Sequence, residues 1–418
     1  MNVPDGWRAA TLGELAVQAR PGFASGKHSR IEGGVQHLRP MNITRLGRLD
    51  LADAKYVEDT SDRRVALNDV IFNNTNSPAL IGKTALITAE GAGLAYSNHM
   101  TRLRMPREGD LLPAYLGLFL HHLWEKRYFE SICSNHVNQA SVGARKLLET
   151  PVSFPPLPEQ RRIVELVEEH MAHLDAADAS LASAEQRARA LTASSRANLV
   201  SEGQRLGVDS TVGAHSTEVA YGSSSKTSDA SDGVPVLRMG NIQDGQLDWS
   251  SLKYLPRDHA EFPKLLLRDG DLLFNRTNSA ELVGKSAVFR GERSASYASY
   301  LIRVRFDDTV LPEWANLCIN SPQGRAHVKS VLAQQVGQAN VNGTKLKAFP
   351  LPVPPVEDQR RLLESADRAR QEALRTTQTT HTTRRRSAAL RRAVLTAAFS
   401  GHLTSTTDPS DLLQESIA

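Results

Sequence analysis

The chain has 418 residues, of which 40% are hydrophobic and 23% charged, with a formal net charge of +4. This length suits two domains of about 100–200 residues better than one core. The charge permits nucleic-acid binding without indicating it. No apolar run predicts a membrane span, and the N-terminus has no secretion-signal pattern. With only Cys133 and Cys318 present, we expect two buried thiols in a cytoplasmic protein.

The first segment, residues 1–156, mixes short β-type runs with turn-forming residues. Residues 69–72 form one such run, bounded by Asn and Asp. Residues 112–129 form a helical stretch. The segment therefore predicts a compact α+β domain.

A long helix follows, which we place at residues 157–203. Prolines at 151–158 precede it, and proline is tolerated only in the first turn of a helix. Val167, Leu174 and Leu181 share one heptad position, as in a coiled coil, and Leu191 continues the apolar pattern. A helix of some 43 residues would be roughly 65 Å long, too long for the interior of a small domain. We interpret it as a strut.

The same two parts then return. Residues 204–355 predict a second α+β domain, with a helical stretch at 311–331. Its β-type run at 301–305 alternates apolar and basic residues, so we expect one packed face and one wet face. Residues 356–403 predict a second long helix, although its threonine-rich middle has low helix propensity. Residues 404–418 read as a flexible tail.

The two halves are copies of one unit, because their motifs return in the same order at offsets of 199 to 202 residues. The matched pairs begin at His37 and Val236, Phe72 and Phe274, Gly82 and Gly284, Gln139 and Gln338, and Pro155 and Pro354. Small changes in the offset are typical of insertions and deletions in surface loops.

The two long helices differ in charge. Residues 157–203 carry eight acidic and five basic side chains, whereas residues 356–403 carry five acidic and ten basic ones. Opposite charges favour pairing of the helices, and an antiparallel pair would bring residues 384–386 close to Glu165, Glu168 and Glu169. The alternative is two solvated helix faces, since exposed ion pairs contribute little.

Fragments that suggest catalysis are incomplete. Gly82-Lys83 and Gly284-Lys285 resemble the end of a phosphate-binding loop, but Ser77 and Ser279 stand where that loop needs glycine. His170 and His173 lack the spacing of a zinc-protease motif. We therefore expect a non-catalytic protein with no metal or cofactor of its own.

The segments at 155–163 and 354–362, which share the pattern Pro-Pro followed by Gln-Arg-Arg, introduce the long helices. Together with the ending at 399–403 and the tandem order, they resemble the specificity subunits of type I restriction–modification systems over nearly the whole chain. Glu357 departs from the family pattern, which has proline there, as does the threonine-rich middle of the second helix.

This resemblance implies an α+β fold with two pseudo-symmetric target-recognition domains joined by two long antiparallel coiled-coil helices. Each domain would read one half of a split site in double-stranded DNA. The helices would set the spacing and dock two methyltransferase subunits, and through them the restriction subunits. S-adenosylmethionine, ATP and magnesium would bind those partners. A strut of roughly 65 Å matches on the order of 19 base pairs.

The DNA-contact candidates are polar residues of repeat-matched loops and of loops that differ between the copies, because arginine reads guanine and asparagine reads adenine. They are Lys27, Arg30, Arg39, Asn42, Asn73, Asn74, Asn76, Lys83, Lys226, Arg238, Asn241, Asn275, Arg276, Asn278 and Lys285. Residues shared by both copies are equally suited to building the fold or holding phosphates, so base reading belongs where the copies differ.

The candidates for the spacer and for partner docking lie on the long helices. They are Gln160, Arg161, Val167, Leu174, Leu181, Leu191, Gln359, Arg360, Leu362 and Leu390. Two other hypotheses remain open: the recognition part of a fused restriction–methylation enzyme that has lost its catalytic region, and a coiled-coil adaptor that binds no DNA.

Overall fold

The computed structural model describes residues 3–25, 28–29, 34–53, 55–58, 62–136, 139–279, 282–291, 293–335 and 338–404. The chain forms two compact units. Unit 1 contains Met1–Ser180 and Thr382–Ala418, and unit 2 contains Leu181–His381. Each unit therefore holds one copy of the mixed domain together with part of each long helix.

The mixed domain of unit 1 consists of short strands and three short helices. The strands are β1 (Arg8–Thr11), β2 (Gln18–Pro21), β3 (Val35–Leu38), β4 (Tyr56–Val57), β5 (Val70–Asn73), β6 (Thr75–Asn76), β7 (Thr84–Leu86), β8 (Ala95–Tyr96), β9 (Met100–Arg104), β10 (Ser134–His136), β11 (Gln139–Ser141) and β12 (Pro151–Phe154). The helices are α1 (Pro113–Glu125), α2 (Tyr128–Ile132) and α3 (Ala144–Leu148).

The centre of this domain is an antiparallel sheet in the order β2-β9-β5-β7. Every residue of β5 is buried, as expected for the apolar run seen in the sequence. Phe72 on this strand packs edge-to-face against Phe129 of α2 at a centroid distance of 4.9 Å. The core continues onto the long helices through Ile163, Val167 and Phe399.

The mixed domain of unit 2 repeats this construction. Its strands are β13 (Val208–Thr211), β14 (Ser216–Tyr221), β15 (Val234–Leu237), β16 (Ile242–Gln243), β17 (Gln246–Leu247), β18 (Lys253–Leu255), β19 (Leu272–Asn275), β20 (Thr277–Asn278), β21 (Ser286–Val288), β22 (Ser296–Tyr297), β23 (Leu301–Phe306), β24 (Ala333–Gln335), β25 (Gln338–Asn340) and β26 (Pro350–Val353). The long helix α4 (Leu157–Leu206) precedes this domain in the chain, and the later helices are α5 (Pro312–Asn320), α6 (Pro322–Val331), α7 (Gly343–Lys347) and α8 (Val356–Phe399).

The sheets of the two units follow the same plan, as the duplication predicts. The central sheet of unit 2 has the order β14-β23-β19-β21. In each unit the strand entering the mixed domain pairs with the strand leaving it, β1 with β12 and β13 with β26. Trp314 of α5 is fully buried in the core of unit 2, where its indole donates to the carbonyl of Pro352.

Both helical stretches predicted as single elements are broken in two. Residues 112–129 divide into α1 and α2 because Arg127 takes a left-handed conformation with φ of 58°. Residues 311–331 divide at Ser321, whose hydroxyl accepts a hydrogen bond from Gly324 N at the start of α6. Pro322 is the first residue of α6, a position that proline favours.

The first long helix extends past its predicted end at Gly203. The Trp314 ring packs where a side chain at 203 would stand, so this glycine provides a contact surface instead of a stop signal. The threonine-rich part of α8 is helical, and Thr380 is buried with its hydroxyl donating to Glu185. In the described part of the chain, no helix is both long and apolar enough to cross a membrane.

Within each unit, the segments of α4 and α8 lie antiparallel. In unit 1, Glu159 accepts a hydrogen bond from Thr404, just beyond α8, and Asp178 accepts one from Arg391. In unit 2, Glu202 pairs with Arg361 at 2.9 Å. Residue numbers increase along the α4 segment while those of its contacts in α8 decrease. The α4 and α8 segments of each unit are therefore antiparallel.

The predicted contact between residues 384–386 and the start of α4 is wrong. The register instead places Arg391 beside Asp175 and Asp178, at 2.8 and 2.9 Å. Residues 384–386 are exposed. Charge complementarity between the helix segments is present, but it comes from other residues than those predicted.

Two further predictions of burial are wrong. Leu191 is 70% exposed, whereas the next residue, Thr192, is partly buried. Cys133 is partly exposed, whereas Cys318 is buried as expected.

Candidate nucleic-acid interface

Asn42 and Asn241 hold their own loops together. Each ends a short 3-10 turn, Pro40–Asn42 or Met239–Asn241. The Asn42 side chain accepts from Arg39 N at 2.9 Å and donates to the Asp50 carbonyl at 2.8 Å. Asn241 makes the matching contacts, and both residues are buried. Their amides therefore stabilise the loop and are not available to a base edge.

Asn73 and Asn275 are also structural. Both are fully buried, and each donates its side-chain amide 3.1 Å to a backbone carbonyl, that of Leu80 or Leu282. These bonds close the turn that carries the Gly-Lys pair. Gly82 has φ of 89° and packs against Phe129, so the suspected phosphate loop is a tight turn in the core.

The two repeat-matched lysines differ in their surroundings. Lys83 is buried, and its ammonium donates to the carbonyls of Ile43 and Pro40. Burial, with a smaller effect from Arg45, lowers the pKa of Lys83. Lys285 is partly exposed, with its ammonium 3.4 Å from Gln243 Oε1. Lys285 can therefore meet an outside anion, whereas Lys83 supports the loop that ends in Asn42.

Asn74 and Arg276 occupy the same place in the two copies and behave differently. Asn74 is buried and donates to Thr101 Oγ1 at 2.8 Å. Arg276 is partly exposed, and its guanidinium lies over the Tyr221 ring at 4.8 Å from the centroid. The predicted DNA contact is thus contradicted at Asn74 by burial and remains open at Arg276.

The sheets bring together two repeat motifs that are far apart in sequence. Strand β6 pairs with β11, so that Asn76 lies opposite Ala140. Strand β20 pairs with β25, so that Asn278 lies opposite Ala339. The asparagine loop and the later Gln-Ala motif of each repeat therefore form one structure, which sequence order alone did not indicate.

The remaining candidates lie at the surface or outside the described residues. Arg39 is partly exposed and forms an ion pair with Asp53 at 3.2 Å. Arg238, its counterpart, is also partly exposed, and Lys226 is exposed. Lys27 and Arg30 lie outside the described residues.

Sequence reasoning missed one buried arginine, Arg303, and one partly buried arginine, Arg305. In the run at 301–305, Arg303 is 1% exposed and pairs with Glu218, so the predicted wet face is wrong. Arg305, on the same side of the strand, bonds Asp271 at 2.7 Å. The carboxylates that neutralise these arginines lie on β14 and beside β19, so only strand pairing reveals them. In the sequence, only the alternation of apolar and basic residues indicated that these arginines share one side of the strand.

Two predicted docking residues, Gln160 and Gln359, are fully buried, so the assignment to a partner surface is wrong for them. Val167 and Leu362 are buried in the cores of unit 1 and unit 2. Leu174, Leu181 and Leu390 are partly buried, and Arg161, Arg360 and Leu191 are exposed. The predicted contact of these exposed and partly exposed residues with a partner stays a prediction.

The described residues contain no group of three His, Cys, Asp or Glu side chains suited to holding a metal ion. His37 is buried beside His28, with ring nitrogens 3.1 Å apart. Burial, and secondarily the charge of His28, lowers the pKa of His37 to about 4. This pair is a local packing feature of unit 1.

The structure contains a duplicated mixed domain, and each copy is followed by a long helix. The sequence pattern of the family described as Type I restriction modification DNA specificity domain matches residues 4–183. Residues 4–183 therefore match a domain of that family, and the chain is similar over most of its length to type I restriction–modification specificity subunits. These matches confirm the resemblance seen in the sequence, and relatives described as specificity subunits support the prediction of a non-catalytic subunit.

Individual relatives extend the likeness along the chain. The type I restriction enzyme EcoKI specificity subunit of Escherichia coli K12 is 24% identical over 399 residues, covering 87% of this chain and 82% of that protein. The StySPI specificity subunit of Salmonella potsdam is 21% identical over 428 residues, covering 96% and 90%. A chain from the solved structure described as the structural basis of complex assembly and conformational transition of the type I R-M system shares the fold, with a TM-score of 0.74, 20% identity and coverage of 96% and 100%.

Proposed function

We propose that this chain is the DNA-reading subunit of a type I restriction–modification complex, and that each mixed domain reads one half of a bipartite site. The observation that carries the proposal is the duplication: the same domain is built twice, and each copy is fastened to its own long helix by a fully buried glutamine. Two readers on stiff elements would make the spacing between half-sites a property of the protein.

The long helices would also dock the partner subunits. A duplicated chain offers two equivalent surfaces, which suits two identical methyltransferase subunits. Arg161 and Arg360 are exposed at matching positions, one residue after each buried glutamine. The restriction subunits would join through the methyltransferases. S-adenosylmethionine, ATP and magnesium would bind those partners, and the complex would act on DNA in the cytoplasm.

The proposed DNA-contacting residues are those that the fold leaves accessible. We retain Arg39, Asn76, Lys226, Arg238, Arg276 and Lys285, together with the untested Lys27, Arg30 and Asn278. Most contacts in such interfaces go to phosphates, so loss of one lysine should weaken binding to all sequences, whereas loss of a base-reading arginine should relax one position.

A domain exchange tests the proposal. Residues 1–155 would be replaced by those of a related subunit, and the exchanged chain would be assembled with methyltransferase subunits. Methylated sites would then be mapped by sequencing. We expect one half-site to change and the other, with the spacing, to persist. A change in both half-sites would contradict modular reading.

Binding measurements separate the proposal from its alternatives. A gel-shift titration with the methyltransferase subunits should give tight binding to the split site, and much weaker binding without them. If the chain bound no DNA in either state, it would be an adaptor. If the purified chain methylated or cut DNA unaided, it would be an enzyme in its own right.

A further inference from the structure

The two mixed domains differ most clearly in chemistry at the end of the central sheet. In unit 2 the last position of β14, the position between β19 and β20, and the position before β23 hold Tyr221, Arg276 and Tyr300. The corresponding positions of unit 1 hold Pro21, Asn74 and His99, at offsets of 200 to 202 residues. A residue that distinguishes two half-sites must differ between the copies, and this place meets that requirement.

The backbone of Arg276 is fixed on both sides. Its N–H donates to the carbonyl of Tyr300 at 3.0 Å, and its carbonyl accepts from Val341 N at 2.9 Å. Asn74 has the same two backbone bonds, to His99 and Val142. The two repeats therefore share the same backbone hydrogen bonds at this position, and they differ in the side chain that stands there.

The side chain of Arg276 is held by an aromatic ring that is itself anchored. The guanidinium lies 4.8 Å from the centre of the Tyr221 ring. The hydroxyl of Tyr221 accepts a hydrogen bond from Gly343 N at 2.8 Å. Tyr221 is nevertheless 43% exposed, so this pair stands at the surface and not in the core.

Among the described residues, the Arg276 side chain retains hydrogen-bond donors that other groups can use. Its Nε atom is buried and has no hydrogen-bond partner among the described residues, although the residue as a whole is partly exposed. Asn74, in contrast, donates its amide to Thr101 and to the Asn98 carbonyl. The terminal amino groups of Arg276 are the donors left for an acceptor outside the protein.

We propose that Arg276, positioned by Tyr221, reads a guanine in the half-site bound by unit 2. A planar guanidinium matches the O6 and N7 acceptors of guanine in the major groove, and stacking on a ring fixes its plane in advance. A side chain already ordered loses less conformational freedom on binding. This inference rests on the proposed function and assigns one base of its recognition site.

The test uses the full chain assembled with its methyltransferase subunits and a DNA library with randomised half-sites. Methylated molecules would be sequenced for the wild type, Arg276→Gln and Tyr221→Leu. We expect one G·C pair of one half-site to lose its preference in Arg276→Gln by roughly 5- to 150-fold, since a bidentate contact discriminates by that amount. Tyr221→Leu should relax the same position by a smaller factor.

Arg293→Gln is the matched control. Arg293 is exposed and lies over the Trp249 ring at 4.6 Å in the same unit, so the substitution removes an equal charge and a similar stacking contact. We expect its motif to match the wild type. Thermal denaturation of each variant distinguishes loss of reading from loss of folding.

Several outcomes would overturn the inference. An unchanged recognition motif in Arg276→Gln would overturn it. An equal loss of methylation on all sequences would also overturn it, because that loss indicates a phosphate contact. A shift at an A·T position would also exclude guanine reading. If the wild-type complex showed no bipartite motif, the proposed function would fail first and the assignment of Arg276 with it.

Discussion

The Oε1 atom of Gln160 accepts a hydrogen bond from the backbone N–H of Leu112 at 2.8 Å. Its Nε2 atom donates to the carbonyls of Asp110 and Pro155, at 2.6 and 2.9 Å. Gln359 makes the same three bonds with Leu311, Thr309 and Pro354. The glutamine of each helix-opening motif therefore ties the first turn of a long helix to the residues that begin α1 or α5.

Substitution of this glutamine should destabilise the unit that contains it. Gln160→Ala would leave the Leu112 N–H and two carbonyls without partners, in a place from which solvent is excluded. We expect the free energy of unfolding to fall by at least about 3 kcal/mol, since three groups lose their partners and each buried unsatisfied group costs about 1–3 kcal/mol. Urea denaturation followed by circular dichroism measures this change.

The neighbouring Arg161 provides the control. It is exposed, so Arg161→Ala should change stability by no more than about 0.5 kcal/mol. Under the proposed function, Arg161→Ala should weaken binding of a methyltransferase subunit, which an assembly titration measures. Equal stability of the Gln160 and Arg161 variants would show that the glutamine does not fasten the helix.

Gly203 should resist replacement by alanine despite its place inside a helix. Alanine favours a helix by about 1 kcal/mol over glycine. A Cβ atom at 203, however, would stand 2.5 Å from Cη2 of the buried Trp314. We expect net destabilisation by about 1–3 kcal/mol, as in other overpacked cores. Gly240→Ala, where a Cβ would meet open space, is the control and should be nearly neutral.

The direction in which Gly203→Ala shifts the melting temperature shows whether helix propensity or packing against Trp314 dominates. An increase in the melting temperature would mean that helix propensity dominates and that Trp314 moves aside at little cost. A decrease, with Gly240→Ala unchanged, would support a rigid contact between α4 and α5.

Unit 1 should lose stability in mild acid because it buries His121 and partly buries the neighbouring His122. Burial lowers the pKa of both His121 and His122 from 6.5 to about 4, with a smaller effect of Lys126 on His122. Between these pH values the unfolded chain binds protons that the folded unit does not. Their stabilising contribution is therefore complete above pH 6.5 and declines as the pH falls towards 4.

Melting curves at pH 7.5 and pH 5.0 test this dependence. The second repeat has Asn320 at the position of His121, which suggests His121→Asn as the substitution. We expect this variant to lose less stability on acidification than the wild type. His173→Asn, at an exposed position on α4, should keep the wild-type difference. An identical response of all three proteins would contradict the role of buried imidazoles.

The two cysteines should differ in reactivity. Cys133 is partly exposed, whereas Cys318 is 2% exposed and its burial raises the pKa of the thiol. With a disulfide exchange reagent at pH 8, we expect one thiol to react in the folded chain and two after denaturation. Cys133→Ser should leave no fast phase. A fast phase in that variant would mean that unit 2 opens around α5.

The sequence by itself determined the duplication, the two long helices and the resemblance to a family. Those features depend on local patterns: heptad spacing, proline before a helix and motifs repeated at a constant distance. The β-type runs at 70–73 and 272–275 were equally local, because four apolar or small polar residues between turns are buried wherever the sheet forms.

Tertiary structure alone decided which repeated polar residues are accessible. Asn74 and Arg276 occupy matching positions, but Asn74 is buried and donates to Thr101, whereas Arg276 lies over Tyr221, a residue 55 positions earlier. Arg303 is buried, and not solvent-exposed as predicted, because Glu218 on a neighbouring strand neutralises its charge. Burial and pairing arise from residues distant in the chain, so the periodicity of a single segment could not reveal them.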